Sequence, residues 1–257
     1  MVEGLNDLAC YNVKFYFMRK IMISLLIGVT TFLSAAAQKE IVNDPNAEVR
    51  AISGSFNKVK ISGGIDLYLT QSDNEALVVS ASQDKFKEGI KTVVENNTLK
   101  IYYFADKALD ILKNKKLRVY VSFKNLENVD ASGASDVQVA GVITVPSFTL
   151  SLSGASDFKG AVKVTDLKMD LSGASDVTIK GIANTVKIET TGASDVKGYD
   201  LVTDICNAKA SGASDVNITV NKELTASASG SSDISYKGEG VIKETHTNGS
   251  GSVSKKG

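Results

Sequence analysis

Apolar and polar residues alternate with a period of two through much of the second half of the chain. In one stretch the apolar positions are Leu167, Met169 and Leu171, and Lys168 and Asp170 lie between them. Because successive side chains of a β-strand point to opposite faces, this alternation predicts strands with one buried and one solvated face. The positions expected to be buried are Phe148, Leu150, Leu152, Leu167, Met169, Leu171, Val186, Ile188, Thr190, Cys206, Ala208, Ala210, Leu224, Ala226 and Ala228.

A four-residue motif follows each alternating stretch. Gly-Ala-Ser-Asp occurs at 133–136, 154–157, 173–176, 192–195 and 212–215, and Gly-Ser-Ser-Asp at 230–233 is a sixth copy. Residues 249–253 are a decayed seventh copy in which Ser252 replaces the aspartate, and residues 63–67 are an early degenerate one. Successive motif glycines are 18 to 21 residues apart. The chain is therefore a repeat protein over at least its second half.

A repeat of about 20 residues has room for two or three short strands and their turns. One such coil cannot bury its own apolar face, whereas stacked coils can, with equivalent strands paired in parallel roughly 4.8 Å apart. Helical solenoids and propeller blades need longer repeats, and a β-sandwich would not explain turns at such regular intervals. We therefore predict an all-β fold, a single-chain parallel β-helix or β-solenoid with coils of about 20 residues.

The residue types of the motif suit a tight turn. Glycine permits a backbone conformation that side chains disfavour, and serine and aspartate hydrogen-bond to nearby backbone amides. The structural interpretation is that the motif forms one turn in each coil. The predicted turn glycines are Gly133, Gly154, Gly173, Gly192, Gly212 and Gly230.

Stacked coils would also bring the motif aspartates into one column. Unit charges about 4.8 Å apart repel by roughly 0.9 kcal/mol in water, so backbone amides or bound Ca²⁺ would have to offset the repulsion. The motif lacks the spacing of the calcium-binding nonapeptide solenoids. We therefore expect no cofactor and keep a calcium column as the alternative, formed by Asp136, Asp157, Asp176, Asp195, Asp215 and Asp233.

The first 37 residues have the pattern of an export signal. Arg19 and Lys20 precede a 13-residue apolar stretch, and Ala35 to Ala37 supply small residues for cleavage before Gln38. Translation is expected to begin at Met18 because the preceding residues do not belong to such a signal. The alternative is an uncleaved membrane anchor. The prediction places the protein in the periplasm, on the outer-membrane surface or outside the cell, with no membrane span after residue 37.

Residues 38–257 are predicted to form a single β-helix domain, in which 38–128 is less regular and 129–257 carries the repeat coils. No Pro- or Ser-rich linker separates the two parts. A short helical or irregular piece is expected at 84–89 and a turn at Asn96-Asn97. The candidate strands of the first part are 59–61, 67–69, 77–79, 99–101 and 117–121.

Composition narrows the possible functions. The chain has 29 basic and 29 acidic residues, so it lacks the basic excess of a nucleic-acid binder. Its single histidine is His246, and its two cysteines, Cys10 and Cys206, match no metal or disulfide pattern. Cys206, on an inward position, is expected to be a small buried apolar residue. Acidic residues that recur in every coil favour a scaffold over a catalytic centre, so we predict no catalytic residue and no enzyme.

The repeated Ser-Gly-Ala-Ser-Asp after an export signal, together with Ser62 to Leu69, resembles the head GIN domain family of putative auto-transporter adhesins. The resemblance covers about residues 50–254. It implies a β-helical, exported bacterial protein of the cell envelope or surface, with a surface ligand, glycan or envelope protein as partner and possible homo-oligomers. It supplies no binding residues to transfer. The alternatives are a β-helical polysaccharide-active enzyme and a calcium-binding structural solenoid of the envelope.

Overall fold

The repeat-bearing half of the chain is a parallel β-solenoid of about seven turns in a computed structural model. The structure describes residues 44–104 and 115–257, so the predicted export signal lies outside the described residues. The strands of the seven turns are β8 (Asn128–Ser132), β9 (Asp136–Ala140), β10 (Ile143–Thr144), β11 (Ser147–Leu152), β12 (Asp157–Leu171), β13 (Asp176–Thr190), β14 (Asp195–Gly212), β15 (Asp215–Gly230), β16 (Asp233–Lys237), β17 (Val241–Gly249) and β18 (Ser252–Lys255).

Each motif turn joins two rows of parallel strands. The pre-motif row contains β8, β11, the second halves of β12 to β15, and β17. The post-motif row contains β9, the first halves of β12 to β15, β16 and β18. The predicted parallel solenoid with coils of about 20 residues is thus confirmed.

The first part of the chain adds two more layers to the same rows. Strands β2 (Lys58–Ser62) and β3 (Asp66–Gln71) pair in parallel with β8 and β9. On their other side lie β6 (Thr98–Tyr103) and β7 (Arg118–Phe123), also parallel. Residues 58–71 are therefore a regular solenoid layer, although the sequence had suggested that regular coils begin near 129.

Antiparallel strands form this end of the stack. Strand β5 (Ile90–Glu95) pairs with β6, β4 (Ala76–Ser80) pairs with β7, and β1 (Glu48–Arg50) pairs with β4. The six-residue helix α1 (Asp84–Gly89) leads from β4 towards β5 and buries Phe86. The expected turn at Asn96-Asn97 has a left-handed backbone at both residues, with φ of 51° and 58°. This end is thus built from antiparallel pairs, of which β5 with β6 is a local hairpin and the other two join segments distant in the sequence, unlike the parallel coils of the rest of the solenoid.

The core consists of columns of apolar side chains that run along the solenoid. One column passes through Leu150, Met169, Ile188, Ala208 and Ala226, which are paired in register and fully buried. Stacking equivalent residues removes each apolar face from water without a second sheet or a helix.

Cys206 lies in a neighbouring core column. Its side chain is buried, and burial raises the pKa of its thiol to about 12. Because the thiolate is the reactive form of cysteine, this residue acts as a small apolar side chain.

Thr190 occupies a core position between Leu171 and Ala210. Its hydroxyl oxygen is buried and has no hydrogen-bond partner. A buried hydroxyl without a partner costs free energy, whereas an apolar group of the same shape does not. Thr190→Val is therefore expected to raise the free energy of unfolding by about 1 kcal/mol, measured by urea denaturation. Thr178→Val, at an exposed position of the same strand, is the control, and a less stable Thr190→Val protein would contradict the argument.

Candidate functional site

The motif aspartates form one continuous column on the outer face of the post-motif row. The register pairs Asp136 with Asp157, Asp176 with Asp195, and Asp215 with Asp233. Adjoining pairs, such as Phe158 with Val177, bring successive coils into the same alignment. This is the arrangement that the repeat predicted, and it makes the column the most strongly patterned polar surface of the protein.

The column is longer at both ends than the six aspartates named from the sequence. Asp66 in β3 continues it, because the next residue, Leu67, pairs with Val137. Arg118 in β7 pairs with Asp66 and ends the column with a positive charge, and Ser252 in β18 ends it at the other side. The degenerate motif at residues 63–67 was the signal for Asp66, whereas nothing in the sequence pointed to Arg118.

The aspartates do not all have the same hydrogen bonds. The backbone N–H of Asp176 donates to Asp157 Oδ1 at 3.3 Å, and that of Asp215 donates to Asp195 Oδ1 at 3.2 Å. Lys197 Nζ instead lies 2.9 Å from Asp176 Oδ2. Two carboxylates therefore bind an amide of the next coil, whereas Asp176 is held by a lysine. The expected hydrogen bond from a backbone amide is thus present at Asp157 and Asp195, whereas an ion pair takes its place at Asp176.

A second column, of serines, supports the turns from inside. The motif serines are completely buried, and the hydroxyl of Ser194 donates to the carbonyl oxygen of Thr191 at 3.2 Å. The same hydroxyl accepts the backbone N–H of Ser175 at 3.3 Å. Each such serine thus satisfies backbone groups that would otherwise be buried without partners. The residues of this column are Ser135, Ser156, Ser175, Ser194, Ser214 and Ser232.

The motif glycines occupy the turn position for which they were named. All six have φ between 77° and 88°, in the left-handed region. The alanine or serine that follows each glycine is exposed. The outer edge of each turn is therefore nearly free of large side chains, and it runs beside the aspartate column along the solenoid.

Mutual repulsion and burial affect the end of the column near Arg118. Burial raises the pKa of Asp136, and the neighbouring carboxylates of Asp157 and Asp66 raise it further. Burial also raises the pKa of Asp66, although the positive charge of Arg118 opposes this shift. The negative charge of these two side chains is thus disfavoured in the folded protein.

This disfavoured charge predicts an unusual pH dependence. A carboxyl whose pKa is higher in the folded state than in the unfolded state destabilises the fold above its folded pKa, and acidification relieves that cost. Asp136→Asn is therefore expected to be more stable than the wild type at pH 7, by a margin that shrinks as the pH falls towards 4. Thermal melts across this range measure the difference. Asp166→Asn, at an exposed position of β12, is the control, and a margin that grew on acidification would contradict the assignment.

The unequal hydrogen bonds predict unequal effects of substitution. Asp195→Ala removes the acceptor of a backbone amide and is expected to cost about 1–2 kcal/mol of unfolding free energy. Asp176→Ala removes an exposed ion pair and is expected to cost less than about 1 kcal/mol. Urea denaturation of both variants makes the comparison. Equal losses would mean that the amide contact does not distinguish the two positions.

The calcium interpretation of the column is still a prediction. Within residues 44–104 and 115–257, no three His, Cys, Asp or Glu side chains are grouped so that they could hold a metal ion. The thermal midpoint of the wild type in EDTA and in excess Ca²⁺ tests the question, because a ligand of the folded state raises stability with its concentration. We expect nearly equal midpoints. A rise of many degrees that Asp176→Ala and Asp195→Ala abolish would establish a metal-binding array.

Together these features define a β-solenoid repeat protein whose motif builds an outer aspartate column and an inner serine column. The family described as "Putative auto-transporter adhesin, head GIN domain" matches residues 55–240. The match spans more than half of the chain, so the protein belongs to this family, as the motif resemblance suggested. No curated protein sequence matches the chain.

Solved structures of the same fold come from Bacteroides and Parabacteroides species. A putative adhesin from Bacteroides fragilis has 21% sequence identity and a TM-score of 0.75, over 83% of this chain and 98% of that one. A putative lipid binding protein from Parabacteroides distasonis has 20% identity and a TM-score of 0.63, over 84% and 98%. A putative adhesin from the same species has 19% identity and a TM-score of 0.67, over 83% and 98%. At these identities the similarity establishes the fold alone.

Proposed function

We propose that the protein is an exported, non-enzymatic binding module of the bacterial cell envelope or surface. The observation that carries this proposal is membership of the adhesin family over residues 55–240. The export pattern of residues 18–37 supports it from the sequence. In the part of the chain that the structure describes, no helix has the length and apolar character needed to cross a membrane.

The outer faces of the solenoid support binding of an extended ligand. The post-motif row presents seven aspartates in register, with Lys159 and Lys197 as interspersed exposed cations. The carboxylates accept hydrogen bonds, so they suit the hydroxyl groups of a glycan or the basic groups of an envelope protein. A regular array of identical groups along the solenoid suits a ligand that is itself repetitive. We therefore place the binding surface of the proposed function on this face.

Protease treatment of intact cells tests the location. If the protein is displayed on the surface, an added protease should remove it while a periplasmic marker protein stays intact. Protection of the protein in intact cells and digestion after outer-membrane permeabilisation would exclude adhesion to external ligands. N-terminal sequencing of the protein isolated from untreated cells should give a sequence that starts at or near Gln38. A sequence that starts at Met18 would contradict the predicted cleavage on export.

One assay distinguishes glycan binding from glycan cleavage. The purified protein is incubated with surface polysaccharides, and both retention on the polysaccharide and release of reducing ends are measured. The proposal predicts retention without release, weakened in a variant that carries Asp157→Asn, Asp176→Asn and Asp195→Asn. Release of reducing ends would establish a polysaccharide-active enzyme instead.

Lipid binding is a second candidate, favoured by one observation. Val142, Ile182 and Ile205 are large aliphatic side chains that remain exposed where the chain turns between the two rows. The structural neighbour described as a lipid binding protein has the same fold. Co-sedimentation with lipid vesicles, lost in Ile182→Glu with Ile205→Glu, would support this function, and no co-sedimentation of the wild type would exclude it.

A further inference from the structure

The end of the solenoid formed by β1 and β5 has two open strand edges. Among the described strands, β5 pairs only with β6 and β1 pairs only with β4. Their outer edges therefore carry backbone N–H and C=O groups that no described strand satisfies, although the Arg50 guanidinium donates to the carbonyl oxygen of Ile90 at the start of β5. Such edges are templates for pairing with another chain.

An apolar recess lies at the same end. It has a volume of about 100 Å³, comparable with one aliphatic side chain, and lies between the segment that follows β1 and strands β4, β5 and β6. Val93 on β5 lines it and is partly exposed. Its other apolar lining residues are Ala51, Ile52, Leu77, Val94 and Leu99.

The opposite end of the solenoid is open as well. Strand β17 pairs only with β15, and β18 only with β16, among the described strands. All nine residues of β17 are exposed. The outer edges of the last coil are thus a second pair of open templates.

Two aliphatic side chains are exposed on this last coil. Ile242 pairs with the buried Leu224 and so continues a core column, yet it is 42% exposed because no described coil covers it. Val241 beside it is 64% exposed. One end of the solenoid therefore carries an apolar recess, and the other carries apolar side chains of the size that fills it.

We propose that the protein associates head to tail with a second copy of itself. The end that carries Val241 and Ile242 docks on the recess of the next molecule, and β17 pairs with the outer edge of β5. Apolar contact and backbone pairing then act together, as they do between coils within one chain. Because the two surfaces differ, the contact is heterologous and leaves one free end on each side.

The charges at the two ends fit a weak, reversible contact. Strand β5 exposes Lys91 and Glu95, and β17 exposes Lys243 and Glu244. Each edge thus has one cation and one anion, so an antiparallel register can place one opposite-charge pair across the contact, either Lys91 with Glu244 or Glu95 with Lys243. The same charges oppose pairing in other registers, so association is expected to grow with concentration rather than to produce irreversible aggregates.

Sedimentation velocity over a range of protein concentrations tests the proposal. The sample is the protein that starts at Gln38, the expected product of export. The wild type should shift from monomer to dimers and longer species as its concentration rises. Ile242→Glu should block one end and Val93→Glu the other, so each variant alone should remain monomeric. Thr185→Glu, at an exposed position of β13 in a central coil, is the matched control and should behave like the wild type.

Mixing the two blocked variants gives the decisive result. Ile242→Glu retains the recess and Val93→Glu retains the exposed aliphatic end, so an equimolar mixture should form dimers that grow no further. A wild type that stays monomeric at every concentration would overturn the proposal. Dimers of Val93→Glu alone would overturn it too, since they would show symmetric pairing of the β17 ends. If either variant loses cooperative thermal unfolding, Val241→Lys or Thr92→Arg takes its place.

Discussion

Gly173→Ala is expected to lower the free energy of unfolding by about 3 kcal/mol or more. Gly173 has φ of +82°, a left-handed conformation that costs any other residue energy. A Cβ atom at this position would also lie far inside contact distance of the carbonyl oxygen of Gly154 in the preceding coil. That oxygen accepts the N–H of Ala174 at 2.8 Å, so the backbone cannot move away without losing the bond between coils.

Urea denaturation of residue-matched variants measures this effect. Ala174→Ser is the control, because Ala174 is exposed and the sixth motif copy has Ser231 at the same position. The control should unfold like the wild type. If Gly173→Ala were equally stable, the close approach of successive turns would not be the reason for glycine in the motif.

Phe148→Ala is expected to lower the free energy of unfolding by about 3–5 kcal/mol. The ring of Phe148 is completely buried in a core column and lies 6.4 Å from the ring of Phe158, measured between centroids. Its removal would leave a cavity between stacked strands whose hydrogen bonds hold them at a set spacing, so the neighbouring coils cannot close the gap.

The matched control is Thr149→Ala, which changes the next residue of β11 on its outer face. Thermal melts followed by circular dichroism compare the two variants. Thr149→Ala should change the midpoint little, whereas Phe148→Ala should lower it by many degrees. Similar midpoints for both would mean that the large side chains of this coil are not packed as the structure places them.

The parts of the fold that the sequence predicts come from short patterns that recur in every coil. The period of two marked residues 167–171 as a strand with alternating faces, and the motif marked the turn after it. Because the motif recurs at nearly equal intervals, the register of neighbouring coils followed by counting residues. This explains why the core column through Leu150, Met169 and Ile188 and the column of aspartates both follow from the sequence.

The placement of the first part of the chain could not be derived in this way. Residues 72–127 separate β3 from β8, yet β2 and β3 pair directly with β8 and β9. Pairing across such a separation depends on which apolar faces fit together. The intervening strands contain no sequence repeat from which the register of this pairing could be counted. For the same reason, the position of Arg118 at the end of the aspartate column could not be predicted, because its partner Asp66 lies more than 50 residues earlier in the chain.

Some features of the motif could not be predicted from the local sequence. Its residue types predicted a turn, but the positive φ of the turn interrupts the alternation of faces, so the burial of Ser175 and Ser194 could not be read from the strand pattern. Which carboxylate meets an amide and which meets a lysine also depends on contacts between coils. Sequence alone thus determined the coil, its turn and its columns, because these are periodic. Only the tertiary structure decided how the ends are closed, which polar atoms are buried and where the column stops, because those depend on non-repeated contacts between distant segments.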